Sequence, residues 1–327
     1  MRDIGIDLGT TNVLVYIKGK GVVLNEPSVV SIDTNTKKVL AVGKEAKEML
    51  GRTPGKVKIV KPMKDGVIAD FDMTEEMLNH FIKKAVGKKI LSKPRILICC
   101  PSNITGVEKN AIREIAERMG ARRVFLEEEP KVAAVGAGID ISKPSGSMVI
   151  DIGGGTTDIA VLSLGGIVTS DSIRIAGNTF DEDIINFVKN KYKVIIGEKT
   201  AEDIKTSIGT VLKNGKKGTL EVTGRSATTG LPETITVTSE DVQESLKENI
   251  KKIIAAVKKV LENTPPELAA DISDKGIILT GGGALIDGLV EKLRKELKVP
   301  VFISDNPLTN VVEGTGILLD NLYLIDN

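Results

Sequence analysis

One short turn occurs twice in the sequence, almost half the chain apart. GIDLGTTN occupies residues 5–12, and DIGGGTTD occupies residues 151–158. Each turn lies inside a segment whose pattern predicts three short strands separated by glycine-rich turns. Alternating helices and strands follow each segment, so the order βββαβα is predicted in both halves of the chain. One such turn alone is compatible with a simple tight hairpin, but the repeated order indicates a duplicated α/β fold.

Hydrophobic periodicity and turn residues predict the elements that follow each three-strand segment. In the first half these are a helix over about 74–86, the strand RILICC, a helix over GVEKNAIREIAERMG, the strand RRVFL and a helix from Pro130. In the second half they are a helix from near Thr179, a long helix over about 239–262, the strand GIILT, a helix from about 285, the strand VPVFI and a last helix from about 313. Thr238 and Asp241 are expected to form a capping box at the start of the long helix.

Two insertions interrupt the repeated order, at about 33–65 and about 181–237. They predict a small outer lobe on each of two core domains, and therefore four subdomains around a central cleft. The expected limits are 1–32, 66–142 and 313–327 for subdomain IA, 33–65 for IB, 143–180 and 238–312 for IIA, and 181–237 for IIB.

Composition and charge exclude several classes of function. With 45 basic against 44 acidic residues, the chain has no overall field to attract nucleic acid, and we expect no nucleic-acid partner. No apolar run approaches the roughly 18–20 residues that span a bilayer, and Met1 runs directly into a strand-like segment, so no signal peptide is expected. The adjacent Cys99 and Cys100 should point to opposite faces of a strand as reduced core thiols. A cytoplasmic protein is therefore expected.

The repeated turn has the chemistry of a phosphate clamp. Glycines let backbone N–H groups approach phosphate oxygens, and threonine hydroxyls add further donors. An aspartate repels phosphate, so Asp7 and Asp151 are useful there only with Mg²⁺ between them and the phosphates, usually through water. We expect the two turns to close on one Mg²⁺–triphosphate unit, with Gly9, Thr10, Thr11 and Asn12 on one side and Gly153, Gly154, Gly155, Thr156 and Thr157 on the other.

A third glycine-rich turn, LTGGGALIDGL, occupies residues 279–289 between a predicted strand and a predicted helix. Bare backbone there can approach a flat ring or a sugar, and a helix N-terminus favours a nearby anion. A tight strand–helix turn without a ligand is the alternative. Together with the other two turns, this segment is expected to form the adenosine side of the pocket through Gly281, Gly282, Gly283 and Ala284.

The segment FLEEEPKVAAVGAG, residues 125–138, predicts a strand that ends in three glutamates before a helix of small residues. A carboxylate at a strand end, over the terminal phosphate, can orient the water that attacks it. Glu129, next to Pro130, is the candidate for this role. Glu127 and Glu128 are expected to be ordinary exposed or helix-capping charges. The small residues after Pro130 allow close helix packing at a hinge between the two halves.

These motifs, in this order, resemble the actin/Hsp70/sugar-kinase superfamily. Within it, the MreB/Mbl family of bacterial actins is similar in the segments LNEPSVVSID, KPMKDGVIADFDMTEEML, LICCPSNITGVEKNAI, FLEEEPKVAAVGAG and TPPELAADISDKGIILTGGGALIDGL. The resemblance extends over about residues 3–322; Thr11 departs from it, because many MreB proteins have alanine there. It implies a duplicated actin-like (ribonuclease H-like) α/β fold, with two domains that each carry an inserted subdomain around a nucleotide cleft.

The resemblance implies an ATP-binding protein that hydrolyses ATP to ADP slowly, with Mg²⁺, and polymerises. Such proteins form antiparallel double protofilaments on the inner face of the cytoplasmic membrane, guide the cell-wall elongation machinery and maintain rod shape. By motif position, Asp7 and Asp151 would lie at Mg²⁺ and Glu129 would position water. Glu202 and Lys205, which by themselves are compatible with a solvated helix face, would hold the adenosine with Gly281 to Ala284.

Membrane contact is expected at the loop GKKILSKP, residues 87–94, which matches a short apolar loop of the family. Ile90 and Leu91 lie among lysines that would add attraction to an anionic surface, and a filament would repeat this contact many times. An ordinary polar loop with two packed aliphatic residues is the alternative. An N-terminal amphipathic helix, the other membrane anchor of the family, is not expected because only Met1 and Arg2 precede the first strand.

Three other functions share parts of this pattern. An Hsp70-like chaperone should have a C-terminal peptide-binding domain, and the sequence ends before one. A small-molecule kinase needs an aspartate base at an acceptor pocket, whereas Glu129 occupies the comparable position. A plasmid-segregating actin should lack the MreB-like segments. The sequence therefore favours a cytoskeletal filament ATPase.

Overall fold

Both predicted units fold into a five-stranded sheet, and the two sheets have the same connectivity. The structure, a computed structural model, describes residues 3–87, 93–102 and 104–325. In chain order, the elements of the first unit are β1 (Ile4–Leu8), β2 (Asn12–Ile17), β3 (Gly21–Pro27), β4 (Val30–Asp33), β5 (Val39–Val42), α1 (Lys44–Glu48), β6 (Val57–Val60), β7 (Met63–Lys64), β8 (Val67–Ile68), α2 (Phe71–Val86), β9 (Arg95–Cys100), α3 (Gly106–Arg118), β10 (Arg123–Glu128) and α4 (Glu129–Gly136).

The remaining elements run from Ser147 to Leu324. They are β11 (Ser147–Ile152), β12 (Thr157–Ser163), β13 (Gly166–Ile173), α5 (Gly177–Tyr192), β14 (Val194–Ile195), α6 (Glu198–Ile208), β15 (Thr219–Ser226), β16 (Pro232–Thr238), α7 (Ser239–Glu262), α8 (Pro266–Lys275), β17 (Ile277–Thr280), a 3₁₀ turn (Gly282–Leu285), α9 (Leu289–Leu297), β18 (Val301–Ile303), α10 (Asn310–Asp320) and a second 3₁₀ turn (Leu322–Leu324). The last helix, α10, returns to the first unit and packs against β1, β2 and β9.

The strand orders confirm the duplication. The first large sheet has the order β10-β9-β1-β2-β3 and the second has the order β13-β12-β11-β17-β18. In each, the first three strands of the unit pair antiparallel, and the crossover strands add in parallel on the other side. The two turns predicted to bind phosphate, residues 9–11 and 153–156, are named the phosphate turns after that prediction. They connect β1 to β2 and β11 to β12, so both lie at the same position in their sheets. This placement aims the two turns at one cleft.

Each insertion contributes a smaller three-stranded sheet, with the orders β5-β4-β6 and β14-β15-β16. The first lies largely within 33–65, although β4 already begins at Val30. The second lies within 181–237 apart from the end of β16, and α5 runs across the expected limit at residue 180. The four-subdomain division stays a prediction at these limits.

Helices α4 and α10 pack against each other in an apolar cluster that joins the two sheets. Glycines make this close approach possible. A Cβ on Gly136 would lie 1.8 Å from the carbonyl oxygen of Asn310, and one on Gly314 would lie 2.1 Å from that of Val132. The small residues after Pro130 therefore form the close helix contact that the sequence predicts, between the two halves.

The adjacent cysteines lie on opposite faces of β9. Cys99 belongs to the cluster between the two sheets, and Cys100 belongs to the other core of the first unit. Both are buried free thiols, and burial raises the pKa of Cys100 to about 12. The prediction that neighbouring strand residues point to opposite faces is confirmed here.

Several element boundaries differ from the sequence prediction. The helix predicted from about 285 begins only at Leu289, because the GGAL segment forms a 3₁₀ turn first. Helix α8 begins at the second of two consecutive prolines and was not predicted; Pro266 occupies its first turn, where a missing N–H costs little. The capping box at α7 is confirmed, with Asp241 N donating to Thr238 Oγ1 at 3.2 Å. Within the described ranges, every helix is too short or too polar to span a lipid bilayer.

Candidate functional site

A cavity of about 560 Å³ lies between the two units, and the three glycine-rich turns form its walls. Sixteen of the predicted site residues line it: Asp7, Gly9, Thr10, Thr11, Asn12, Glu129, Asp151, Gly153, Gly154, Gly155, Thr156, Glu202, Lys205, Gly281, Gly282 and Gly283. Two others do not line it. Thr157 is buried and donates from Oγ1 to the carbonyl oxygen of Ile175 at 2.6 Å, and Ala284 packs into the core of the second unit.

The two phosphate turns touch each other across the cleft. A Cβ on Gly154 would lie 1.8 Å from Thr11 Oγ1, and one on Gly155 would lie 2.5 Å from Thr10 Oγ1. Thr11 Oγ1 also donates to Asn178 Oδ1 at 3.1 Å, at the start of α5. The glycines of one turn therefore make room for the threonines of the other, which brings both sets of backbone N–H groups into a single site.

The first turn is held in place by its own unit. Ser28 Oγ donates to the carbonyl oxygen of Gly9 at 2.6 Å, and Thr10 Oγ1 accepts from the backbone N–H of Gly66 at 2.8 Å. These bonds fix the turn before any ligand binds. A preformed turn can present its backbone N–H groups to an oxyanion.

Three of the predicted carboxylates gather at the floor of the cleft. Burial raises the pKa of Asp7 to about 7. Burial also raises the pKa of Asp151 well above its usual range, with the negative charges of Asp158 and Asp7 adding to the effect. The pKa of Glu129 is likewise raised well above normal, first by burial and then by Asp158, Asp7 and Asp151. Buried carboxyl groups this close together resist losing their protons, because each negative charge opposes the next. A bound cation would favour the ionised forms.

Asp158 is a fourth carboxylate of this cluster, and the sequence analysis did not assign it a role. It is the last residue of DIGGGTTD and is 1% exposed. Burial raises its pKa, while hydrogen bonds from Thr156, Ser172 and the backbone N–H of Ser102 lower it. A comparison of the two repeated turns could have found it. The first turn ends in the neutral Asn12, whereas the second ends in the acidic Asp158 at the equivalent position.

The carboxylates fit a cation that is held indirectly. Within the described residues, no three acidic, histidine or cysteine side chains are placed to ligate one metal ion together. Asp151 Oδ1 is nevertheless buried, and it has no hydrogen-bond partner among the residues that the structure describes. A buried carboxylate oxygen that is left unpaired costs free energy unless a donor or cation reaches it. The donor set suits an ion that completes its shell with water and phosphate oxygens.

The third turn forms another wall of the cavity, beside Asp151. Gly281 has a φ of +84°, and a Cβ there would lie 2.3 Å from Asp151 Oδ1, so glycine is required both by conformation and by space. Leu285 and Leu308 also line this wall and are 54% and 58% exposed. Neither leucine was predicted. Together with the bare backbone, their side chains provide apolar surface that suits a flat ring.

Glu202 and Lys205 lie one turn apart on α6 and both line the cavity. Lys205 Nζ donates to the carbonyl oxygen of Gly177 at 2.9 Å and pairs with Asp181 at 2.8 Å. Glu202 pairs at 2.9 Å with Lys47, which belongs to the opposite small lobe. The predicted pair is therefore brought to the cleft, and Glu202 also connects the two lobes across it.

The prediction for Glu127 was wrong. Instead of an exposed charge, Glu127 is 4% exposed and forms an ion pair with Lys131 at 3.1 Å. Lys131 is 1% exposed, on the first turns of α4. The pair lies on either side of Glu129 in sequence and joins the end of β10 to α4. Glu128 is half-buried and is the N-cap residue of α4. Ile90 and Leu91, the predicted membrane residues, lie outside the described residues.

Two five-stranded sheets of the same connectivity, a packed helix pair between them and a cleft lined by a repeated glycine-rich turn define an actin-like protein. A model of the MreB/Mbl protein family matches residues 1–327. The chain thus belongs to the MreB/Mbl family of bacterial actin homologues.

Individual relatives agree with this assignment. The cell shape-determining protein Mbl of Bacillus cereus is 64% identical over 321 residues, which cover 98% of this chain and 96% of that protein. The crystal structure of MreB5 of Spiroplasma citri bound to AMPPNP has a TM-score of 0.94 and 42% identity, and the match covers 98% of this chain and 97% of that one. The MamK double helical filament shares the fold, with a TM-score of 0.82, 23% identity and 98% of each chain covered.

Proposed function

We propose that this chain binds ATP and ADP in the central cleft, hydrolyses ATP slowly and assembles into filaments that organise cell-wall elongation. The observation that carries the proposal is the convergence of both phosphate turns with Glu129 on one cavity. Cell shape-determining relatives and the shared fold supply the cytoskeletal context.

Nucleotide binding is supported by the structure of the cleft and by a close structural neighbour. MreB5 of Spiroplasma citri has been solved with AMPPNP and with ADP, at 42% identity to this chain. Here, the backbone of residues 9–12 and 153–155 would bind the phosphates. The third turn, Leu285 and Leu308 would face the purine, and Glu202 and Lys205 would lie beside the ribose.

Mg²⁺ fits the acidic floor of the cleft, where it would neutralise phosphate charge during transfer. Asp7 and Asp151 would hold it, mainly through water. The unpaired Oδ1 of Asp151 supports this assignment, because a cation shell would supply the missing partner.

Glu129 would orient the attacking water. The side chain leaves the start of α4, where Pro130 fixes the direction of the chain, and it lines the cavity opposite the second turn. An ionised Glu129 accepts a hydrogen bond from water and aligns it with the terminal phosphate. Asp158 does not line the cavity but raises the pKa of Glu129 through its charge, so we assign it as a positioning residue that acts on Glu129 rather than on the substrate.

Assembly and membrane contact extend the proposal. MamK, which has this fold, forms a double helical filament. We propose that this chain likewise polymerises, as double protofilaments, on the inner face of the cytoplasmic membrane with the elongation machinery as partner. The loop 87–94 would supply the membrane contact through Ile90 and Leu91, and repetition along a filament would make a weak contact effective.

Sedimentation of the purified protein tests the proposal. Samples contain ATP, ADP or no nucleotide, with and without vesicles of anionic lipid. We expect pelleting that depends on ATP and increases with vesicles, and direct titration should show nucleotide binding. A protein that binds ATP but stays monomeric at every concentration would contradict the filament assignment, and absence of nucleotide binding would contradict the whole proposal.

A further inference from the structure

A second cavity, of about 240 Å³, lies where the two small lobes face each other. Its wall is formed by Lys44, Lys47, Glu48, Leu50, Arg52 and Lys199. The first five residues come from α1 and the turn after it, and Lys199 comes from the first turn of α6 in the opposite lobe. The cavity is therefore built by both lobes and is separate from the three glycine-rich turns.

The charges around this cavity are unbalanced. Four of its six residues are cations and one, Glu48, is an anion. Among the described residues, Lys47 has a counter-ion in Glu202, while Lys44, Arg52 and Lys199 form no ion pair. All three side chains are exposed, and the Glu26 carboxylate partly offsets the charge of Lys44. An anion among these cations would reduce the repulsion that remains.

Lys199 adds to the imbalance by its position. It occupies the first turn of α6, where the helix dipole is positive and a cation is unfavourable. The preceding Glu198 pairs with Lys61 of the other lobe at 2.5 Å. The two lobes are thus already joined by the pairs Lys61–Glu198 and Lys47–Glu202, and Lys199 lines the same cavity as the cations of α1.

We propose that this cavity binds a small anion carrying a phosphate group and that the anion ties the two small lobes together. The volume is below the roughly 300 Å³ at which pockets for larger organic ligands begin, so a compact ion fits best. Lysine and arginine donors suit phosphate oxygens, and the guanidinium of Arg52 can contact two of them at once. The phosphate can belong to a free ion or to a lipid headgroup.

The direct test is calorimetric titration of the nucleotide-free protein with pyrophosphate at constant ionic strength. The double variant Arg52→Ala/Lys199→Ala removes one cation from each lobe. Lys58→Ala/Lys189→Ala makes the same charge change at exposed lysines away from the cavity. The native protein and both variants keep the phosphate turns, so any pyrophosphate that binds there contributes equally to all three titrations. We expect a binding event that is about tenfold weaker only in the cavity variant.

A second arm distinguishes the two sources of phosphate. Vesicles containing phosphatidic acid are sedimented with the same three proteins, and phosphatidylcholine vesicles serve as the blank. Loss of pyrophosphate binding in the cavity variant alone supports a free ion, and loss of vesicle binding in that variant alone supports a headgroup. If the cavity variant matches the control variant with both probes, the proposal is wrong. ADP affinity measured on the same samples checks folding and tests the proposed nucleotide function separately.

Discussion

Thr11 and Asn178 are 167 residues apart in sequence, yet Thr11 Oγ1 donates a hydrogen bond to Asn178 Oδ1 at 3.1 Å. The same hydroxyl would lie 1.8 Å from a Cβ on Gly154. The first phosphate turn therefore contacts the second half of the chain at two points. Both contacts are made by the side-chain hydroxyl of Thr11.

This contact makes the effect of Gly154→Ala dependent on residue 11. In the native background the added methyl group should separate the two turns and weaken ATP binding. A Thr11→Ala background removes the hydroxyl and leaves only the Cβ of residue 11, at 2.6 Å, so the same change should cost less, giving a coupling free energy of about 1 kcal/mol. Nucleotide titrations of the four proteins measure it.

Gly55→Ala is the matched control for this cycle, because a Cβ there meets nothing within 4 Å. It should leave ATP affinity unchanged. Equal losses from Gly154→Ala in both backgrounds would show that the two turns do not meet in the nucleotide-bound protein.

Replacing Glu129 by glutamine should slow hydrolysis by about 100-fold or more while ATP binding is retained, because the amide keeps the shape but orients water poorly. Single-turnover phosphate release and nucleotide titration separate the two effects. Glu117→Gln, at an exposed position on α3, is the control. Undiminished hydrolysis in Glu129→Gln would remove this residue from the mechanism.

Asp158→Asn should shift the pH dependence of hydrolysis. The negative charge of Asp158 is one cause of the raised pKa of Glu129, after burial itself. Without that charge the pKa of Glu129 falls, and the rise of kcat/KM with pH should move to lower pH. Asp274→Asn, at an exposed position on α8, should leave the profile in place. A profile that is lowered in height but not displaced would indicate a purely structural role for Asp158.

The acidic floor of the cleft should make the nucleotide-free protein less stable as pH rises. The pKa of Asp7 is about 7 in the folded chain, against the ordinary 3.8. Between these values the folded state binds more protons than the unfolded state, so the free energy of unfolding decreases with increasing pH. The raised pKa values of Asp151 and Glu129 act in the same direction.

Thermal unfolding at pH 6 and pH 8 checks this expectation. Asp7→Asn should increase Tm at pH 8 and reduce the difference between the two pH values. Asp203→Asn, which changes an exposed carboxylate of α6, should do neither. A pH difference that is as large in Asp7→Asn as in the native chain would contradict the assignment.

The buried pair Glu127–Lys131 predicts a large loss of stability from a single change. Lys131→Met leaves the Glu127 carboxylate buried without this cation and should cost about 3–5 kcal/mol in the free energy of unfolding. Lys143→Met breaks the exposed pair with Asp140 and should cost less than about 1 kcal/mol. Denaturant unfolding compares them. If Glu127→Gln/Lys131→Met is no more stable than Lys131→Met, the buried charge is not the cause.

Much of the fold could be predicted from the sequence because it is duplicated. Two copies of one turn, each within a three-strand segment, indicated the two sheets, and the spacing of apolar residues gave α7 and its capping box. These features are local: a strand alternates its faces and a helix repeats its apolar residues within a few positions. Local signals were weaker at α8 and α9, where consecutive prolines and the GGAL turn hid the helix starts.

The cleft residues could be predicted from the sequence at positions where only glycine fits. Gly154, Gly155 and Gly281 have neighbours that leave no room for a side chain, and the glycine-rich turns revealed them in advance. Asp158, Leu285 and Leu308 carried no comparable pattern. Their roles depend on which residues of distant segments lie beside them, and only the packed structure sets that.

The sequence by itself determined the two glycine-rich turns of the cleft, the small residues of the close helix contact and the place of Glu129 beside the cavity, because each depends on a particular residue type at a fixed place in the chain. Tertiary structure alone decided the charge states. Burial turned Glu127 from an expected surface charge into half of an ion pair, and it raised the pKa of the cleft carboxylates. It also brought Lys47 to Glu202 across the cleft. Burial and long-range proximity arise only when the two halves close on each other, so no local pattern encodes them.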